Sequence, residues 1–128
     1  MSLLRVKDLS LSIGPTPILD GVSLEVGQGE IVCLLGGNAS GKSTTMKVIL
    51  GLLAPGAGSV YLGGEDVTSL STARRIRRGL ASVPEARRLF AEMTVQENLL
   101  MGSYLRRDQA LVQEDLERMF TLFPRLAE

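Results

Sequence analysis

The sequence predicts an α/β fold, in which a parallel sheet with helices is preceded by an antiparallel β-layer, and three observations support that expectation. Apolar and polar residues alternate through the first third of the chain. A continuous apolar run follows at Ile31–Leu35, and a glycine-rich turn then leads into a segment whose apolar residues recur every three or four positions. Alternation marks strands with one wet face, an unbroken run marks a strand covered on both faces, and the wider spacing marks a helix with one apolar stripe.

Taken in order, Leu9, Leu11 and Ile13 are separated by Ser10 and Ser12, and Val22, Leu24 and Val26 by Ser23 and Glu25. Gly14-Pro15, Pro17 and Asp20-Gly21 read as turns around these half-buried strands. Ile31-Val32-Cys33-Leu34-Leu35 reads as the buried parallel strand, with Cys33 a small buried hydrophobe within it. A helix is expected from Lys42 to Leu53, with Met46, Ile49, Leu50 and Leu53 on its stripe and Pro55-Gly56 and Gly58 ending it. A short strand around Ser59–Leu62 and a Gly63-Gly64 turn come next. Ser69 or Ser71 caps a helix that ends at Gly79, a left-handed stop, and Leu80–Val83 reads as a short strand closed by Pro84. Thr94 and Glu97 form a capping box that opens a helix from Val95 to about Leu105. The last helix starts near Asp108, carries Val112, Leu116, Met119, Phe120 and Phe123 on one face, and is ended or kinked by Pro124.

The 128 residues suffice for one modest domain, and 45% hydrophobic content is ordinary for a globular one. Lysine plus arginine (14) balances aspartate plus glutamate (14), so no broad field for nucleic acid is implied. With no histidine, histidine-based triads, bases and metal ligands are excluded within this sequence. A single cysteine excludes an internal disulfide, which fits a reducing compartment. Neither a signal peptide nor a run long enough to span a membrane is visible, and a cytosolic protein is expected. Arg74, Arg75, Arg77 and Arg78 are expected to form a solvated face that complements the negative end of their own helix.

The chemistry concentrates at Gly36-Gly37-Asn38-Ala39-Ser40-Gly41-Lys42-Ser43, which fits G-x-x-x-x-G-K-[ST], with Thr44 following. Glycines let successive N–H groups turn inward without a Cβ clash, and the helix that follows offers its unsatisfied N–H groups and positive dipole end to an anion. Lys42 is placed to reach the β- and γ-phosphates, and the Ser43 hydroxyl to coordinate magnesium. At average residue usage a chance match occurs in about 0.5% of chains this long. The flanking strand and helix patterns argue further against chance, so a P-loop NTPase core binding a nucleoside triphosphate, ATP with Mg2+, is expected.

Around that loop the chain resembles the nucleotide-binding subunit of ATP-binding cassette (ABC) transporters. The resemblance is carried by Leu19-Asp20-Gly21-Val22-Ser23-Leu24, Gly27-Gln28-Gly29-Glu30-Ile31-Val32, the loop itself, Gly51-Leu52-Leu53-Ala54-Pro55 and Gly58-Ser59-Val60. Three further segments narrow it. Val83-Pro84-Glu85-Ala86-Arg87-Arg88-Leu89-Phe90, Met93-Thr94-Val95-Gln96-Glu97-Asn98-Leu99 and Leu122-Phe123-Pro124-Arg125-Leu126 resemble the branched-chain amino acid importers. That resemblance implies that Glu85 stands at the Q-loop, where it helps complete the magnesium and water environment beside the γ-phosphate. A carboxylate is a good ligand for a hard cation; an exposed glutamate after a strand-ending proline is the alternative. The resemblance also implies that the loop around Glu85 touches a membrane-spanning permease, that a second nucleotide-binding subunit completes a dimer, and that the protein sits at the inner face of the plasma membrane through those partners; it lets Arg87 and Arg88 face the permease, with an ordinary surface pair as the alternative. It places the adenine against Ile13.

Departures from the family pattern qualify these expectations. Alanine replaces the usual glycine at Ala39 and at Ala86, so one Cβ narrows the nest and the other stiffens the Q-loop hinge. Isoleucine at Ile13 replaces an aromatic residue, which weakens base binding by about 1 kcal/mol on the scale of base–aromatic stacking. The sequence ends at Glu128, before the positions where the signature motif, the Walker B strand and the switch histidine would fall. The expectation is therefore residues 1–128 as the N-terminal part of an ABC-type nucleotide-binding domain, incomplete relative to the full family domain, that binds nucleotide without turnover. An unpaired neighbour of Ile31–Leu35 would make it prone to self-association. Two alternatives use the same loop. A small-molecule kinase is disfavoured by the β-rich stretch before the loop, while a non-catalytic nucleotide-binding or assembly module stays open. A GTPase is disfavoured because neither N-K-x-D nor D-x-x-G occurs.

Overall fold

The computed structural model describes residues 2–128, which divide into two compact units, residues 2–82 and 83–128. In the first unit, β1 (Ser2–Ile13) and β2 (Thr16–Gly27) form a long antiparallel hairpin. Helix α1 (Lys42–Leu50) follows, then β3 (Ala57–Leu62), β4 (Glu65–Asp66) and α2 (Thr72–Arg77). The sheet order is β2-β1-β3-β4, and each neighbouring pair is antiparallel. The expected β-layer at the start of the chain is thus present, and longer than its alternation suggests.

The alternation changes phase along β1 because the strand carries a bulge. Val6 and Leu9 are both buried, and between them Asp8 adopts φ +48. The Asp8 N–H donates to Ser23 Oγ at 2.8 Å, and that hydroxyl donates to Asp8 Oδ1 at 3.1 Å. An extra residue in one strand bends it and resets which side chains face the core. Asp20-Gly21, read as a turn, is instead an irregularity inside β2, where the Gly21 N–H donates to Ser10 Oγ. The core of this unit gathers Val6, Leu9, Leu19, Val60 and Val67 with Val48 and Ile49 from α1.

Two predicted strands are absent. Residues 31–35 form no ladder with any described residue and are exposed, Ile31 at 94% and Leu35 at 88%. Cys33 is exposed with them rather than buried. A strand covered on both faces exists only if neighbours pair with its edges, and among the described residues none does. No parallel pair therefore occurs among the described residues, and the ladders present are antiparallel. Leu80–Val83 is likewise irregular, with Leu80 packed on the core and residues 81–83 exposed. The first helix also stops earlier than its stripe implied. Gly51, at φ +77, turns the chain left-handed and donates to the Val48 carbonyl.

The second unit contains α3 (Val95–Met101), α4 (Gln109–Leu122) and a 3-10 turn from Pro124 to Ala127. The expected capping box is formed: the Glu97 N–H donates to Thr94 Oγ1, and the Thr94 N–H to Glu97 Oε2. Helix α3 ends at Met101, shorter than the Leu105 expected, because Gly102 and the turn after it close the helix. The Asp108 side chain caps α4 by accepting from the Leu111 N–H. Of the expected α4 stripe, Val112 and Leu116 are buried, Met119 and Phe120 half-buried, and Phe123 exposed. No helix among the described residues is long and apolar enough to cross a membrane.

Candidate functional site

The segment from Gly36 to Thr44 curls around the side chain of Lys42. The Lys42 ammonium donates to the carbonyls of Gly36 and Gly37, the latter at 2.7 Å, and reaches Ser40 Oγ at 3.4 Å. The Ser40 N–H closes the turn on the Gly37 carbonyl at 3.3 Å. A Cβ at Gly36 would lie 2.5 Å from Ser40 Oγ, so any side chain there would force Ser40 to shift. Asn38 and Ala39 form the exposed crest of the loop.

Gly41 joins the loop to the helix. It is the N-cap of α1, at φ +88, and a Cβ there would lie 2.8 Å from Leu19 Cδ2 and 3.1 Å from the Ile18 carbonyl oxygen. The second glycine of the motif is therefore required twice, for a left-handed backbone and for close packing of the helix start on β2. Thr45, two residues after the Ser43 of the motif, is buried and locks this junction. Its N–H donates to the Gly41 carbonyl at 2.8 Å, and its hydroxyl to the same oxygen at 2.9 Å. The amides of Gly41, Lys42, Ser43 and Thr44 find no acceptor among the described residues, as expected of a helix start. Free N–H groups, the positive end of a helix and one ammonium within a single turn form an arrangement that can hold a polyanion.

The remaining candidate residues are placed as follows. Ser43 is exposed and Thr44 half-buried in the first turn of α1. Ile13 ends β1 with 61% of its surface exposed, opposite Thr16 on the hairpin, close in sequence to the Ile18–Leu19 segment against which Gly41 packs. Glu85 belongs to the second unit, exposed in a turn with Ala86. Magnesium takes few protein ligands and keeps several waters beside phosphate oxygens. An exposed hydroxyl next to Lys42 suits that demand, and no cluster of three or more metal-ligating side chains occurs among the described residues.

The two alanines that depart from the family's glycine both adopt left-handed backbone, Ala39 at φ +64 and Ala86 at φ +65, with Arg87 at φ +45 after it. A β-carbon is strained there, so the glycine preference is a preference of the backbone. Two residues important to the architecture of these segments escaped the sequence reading. Asn98 holds the turn before α3: its side chain donates to the carbonyls of Phe90, Met93 and Thr94 and accepts from the Phe90 N–H at 2.9 Å. Arg75, expected on a solvated face, is 1% exposed. Its burial depends on carbonyls far away in sequence, for which a local pattern carries no signal.

The sequence model described as ABC transporter matches residues 19–125. The chain is 38% identical over 126 residues to the high-affinity branched-chain amino acid transport ATP-binding protein BraG of Pseudomonas aeruginosa, spanning 98% of this chain and 54% of that protein. It is 36% identical over 108 residues to the lipopolysaccharide export system ATP-binding protein LptB of Haemophilus influenzae, spanning 84% of this chain and 45% of that one. A solved structure described as the ATP-binding subunit of an ABC transporter superposes with a TM-score of 0.86 at 34% identity, covering 98% of this chain and 52% of its own. The chain thus spans about half the length of the relatives it matches. With most of its residues matched in sequence and nearly all of its fold superposed, the chain belongs to the ABC transporter family.

Proposed function

We propose that residues 1–128 form the N-terminal part of an ABC nucleotide-binding domain and bind ATP with Mg2+ as part of an importer for branched-chain amino acids. The observation that carries the reading is the loop wound around the Lys42 ammonium at the free amino end of α1. In it, Gly36, Gly37, Asn38, Ala39, Ser40 and Gly41 supply the backbone cradle, and the amides of Lys42, Ser43 and Thr44 extend it. Lys42 exchanges loop carbonyls for β- and γ-phosphate oxygens and stabilises their charge. The Ser43 hydroxyl would hold the Mg2+, which would supply charge neutralisation at the phosphates, while the Glu85 carboxylate of the second unit keeps the hard-cation ligand role that the family resemblance implies. Ile13 offers apolar contact to the adenine.

Phosphoryl transfer depends on positioning and charge stabilisation at both the attacking and the leaving oxygen. Lys42 serves the phosphates, and Glu85 is one carboxylate without a paired base, so these residues perform binding rather than hydrolysis. Membrane-spanning permease subunits and a second nucleotide-binding subunit are the partners, and the inner face of the plasma membrane is the location. BraG is named for branched-chain amino acids and LptB for lipopolysaccharide, and identity over nearly the whole chain favours the first. Calorimetric titration with MgATP tests the nucleotide reading. Binding that disappears in Lys42→Ala is expected, whereas heat that is unchanged by this substitution, or absent at millimolar nucleotide, refutes it. Phosphate release that requires Lys42 would refute the binding-only reading.

A further inference from the structure

Helix α1 is about 13 Å long at 1.5 Å per residue, and its two ends are held by different parts of the first unit. At the amino end Gly41 packs on β2. At the carboxyl end the last carbonyls have no partner within the helix. There the Arg75 guanidinium, reaching from α2, donates through Nη1 to the carbonyls of Val48 and Ile49, both at 2.7 Å. Its Nε donates to the Leu70 carbonyl at 3.0 Å, and its Nη2 to the Thr68 carbonyl at 2.7 Å. One rigid fork thus ties the end of α1 to the segment between β4 and α2. Gly51 makes room for it, since a Cβ there would lie 2.9 Å from Arg75 Nε.

Burying a guanidinium is costly unless its hydrogen bonds are made. Here four carbonyls accept from it, and the negative end of the α1 dipole and the Asp66 carboxylate favour its charge. An apolar side chain would fill the volume but take the donor from the Ile49, Thr68 and Leu70 carbonyls and leave Val48 with the Gly51 N–H alone. A nine-residue helix also moves as a rod, so a tilt at Ile49 is felt at Lys42. The cation further offsets the negative end of the dipole, leaving the positive end at the loop less opposed.

We propose that Arg75 is a positioning residue for the phosphate loop, anchoring the far end of α1 so that Lys42 and Ser43 meet a polyphosphate in one orientation. The inference rests on the nucleotide-binding reading above, and its test separates the two. Arg75→Lys keeps the charge but cannot form the fork, while Arg75→Met keeps much of the length and loses both. Each variant is titrated with MgATP under conditions where its far-UV circular dichroism matches the wild type, alongside Lys42→Ala. Amide hydrogen exchange is followed in the same samples without nucleotide. We expect affinity to fall about 3- to 10-fold in Arg75→Lys and further in Arg75→Met, the scale of a modest misplacement. We also expect the Thr45 and Met46 amides to exchange faster, although Arg75 hydrogen-bonds to neither residue. Wild-type affinity in both variants, or acceleration confined to Gly51–Leu53, overturns the proposal. Absence of Lys42-dependent binding in the wild type overturns the nucleotide reading instead, and exchange at Thr45 and Met46 then decides for or against the Arg75 anchor.

Discussion

Replacing Ala39 by glycine should stabilise the first unit, although the same change in a helix destabilises. Ala39 stands at φ +64, where the β-carbon of an L-residue crowds the carbonyl oxygen at a cost of about 1–2 kcal/mol. Glycine removes that strain but frees the unfolded chain, which offsets about 0.5–1 kcal/mol. The difference is a gain of about 0.5–1 kcal/mol. Ala73, exposed in the first turn of α2 in the same unit, supplies the control, because there glycine loses about 0.5–1 kcal/mol with nothing to relieve. Urea unfolding followed by far-UV circular dichroism should therefore move in opposite directions for the two variants, by about 0.3–0.5 M each at ordinary denaturant sensitivity. A loss of stability in Ala39→Gly equal to that in Ala73→Gly would refute the reasoning, since it would mean that no strain is stored in the loop.

Gly41→Ala should cost about 2 kcal/mol or more, combining left-handed strain with a Cβ 3.1 Å from the Ile18 carbonyl, and should weaken MgATP binding in calorimetry. An unchanged urea midpoint would contradict the packing of α1 on β2. In the second unit, hydrogen bonds from the Thr94 backbone N–H, and then its side chain, hold the Glu97 carboxyl below its ordinary pKa. A depressed carboxylate contributes stability that is complete above the unfolded value, here 4.5, and is lost as pH falls through the lower folded value. Helicity of α3 should thus weaken in acid below pH 4.5 and show a flatter acid response in Glu97→Gln, measured by amide exchange across pH. An identical acid response in both proteins would remove the capping box from the account.

What could be read from the sequence alone was local chemistry. The spacing of Gly36, Gly41, Lys42 and Ser43 specifies a cradle because its parts lie within one turn and one helix start, and the structure winds them around a single ammonium. Thr94 with Glu97, and Asp108 at the start of α4, were legible for the same reason: a cap joins residues three positions apart. Tertiary structure alone decided the rest. Whether Ile31–Leu35 forms a strand depends on a neighbour to pair with, and here the run lies exposed and unpaired among the described residues. The bulge at Asp8 needs Ser23 on the opposite strand, a contact that alternation cannot reveal. Arg75 looks like one more surface arginine in a run of them, and it is buried where carbonyls 26 and 27 residues away accept its hydrogen bonds. Propensity and spacing act over a few residues, whereas burial and pairing are settled by whichever distant groups the fold brings together.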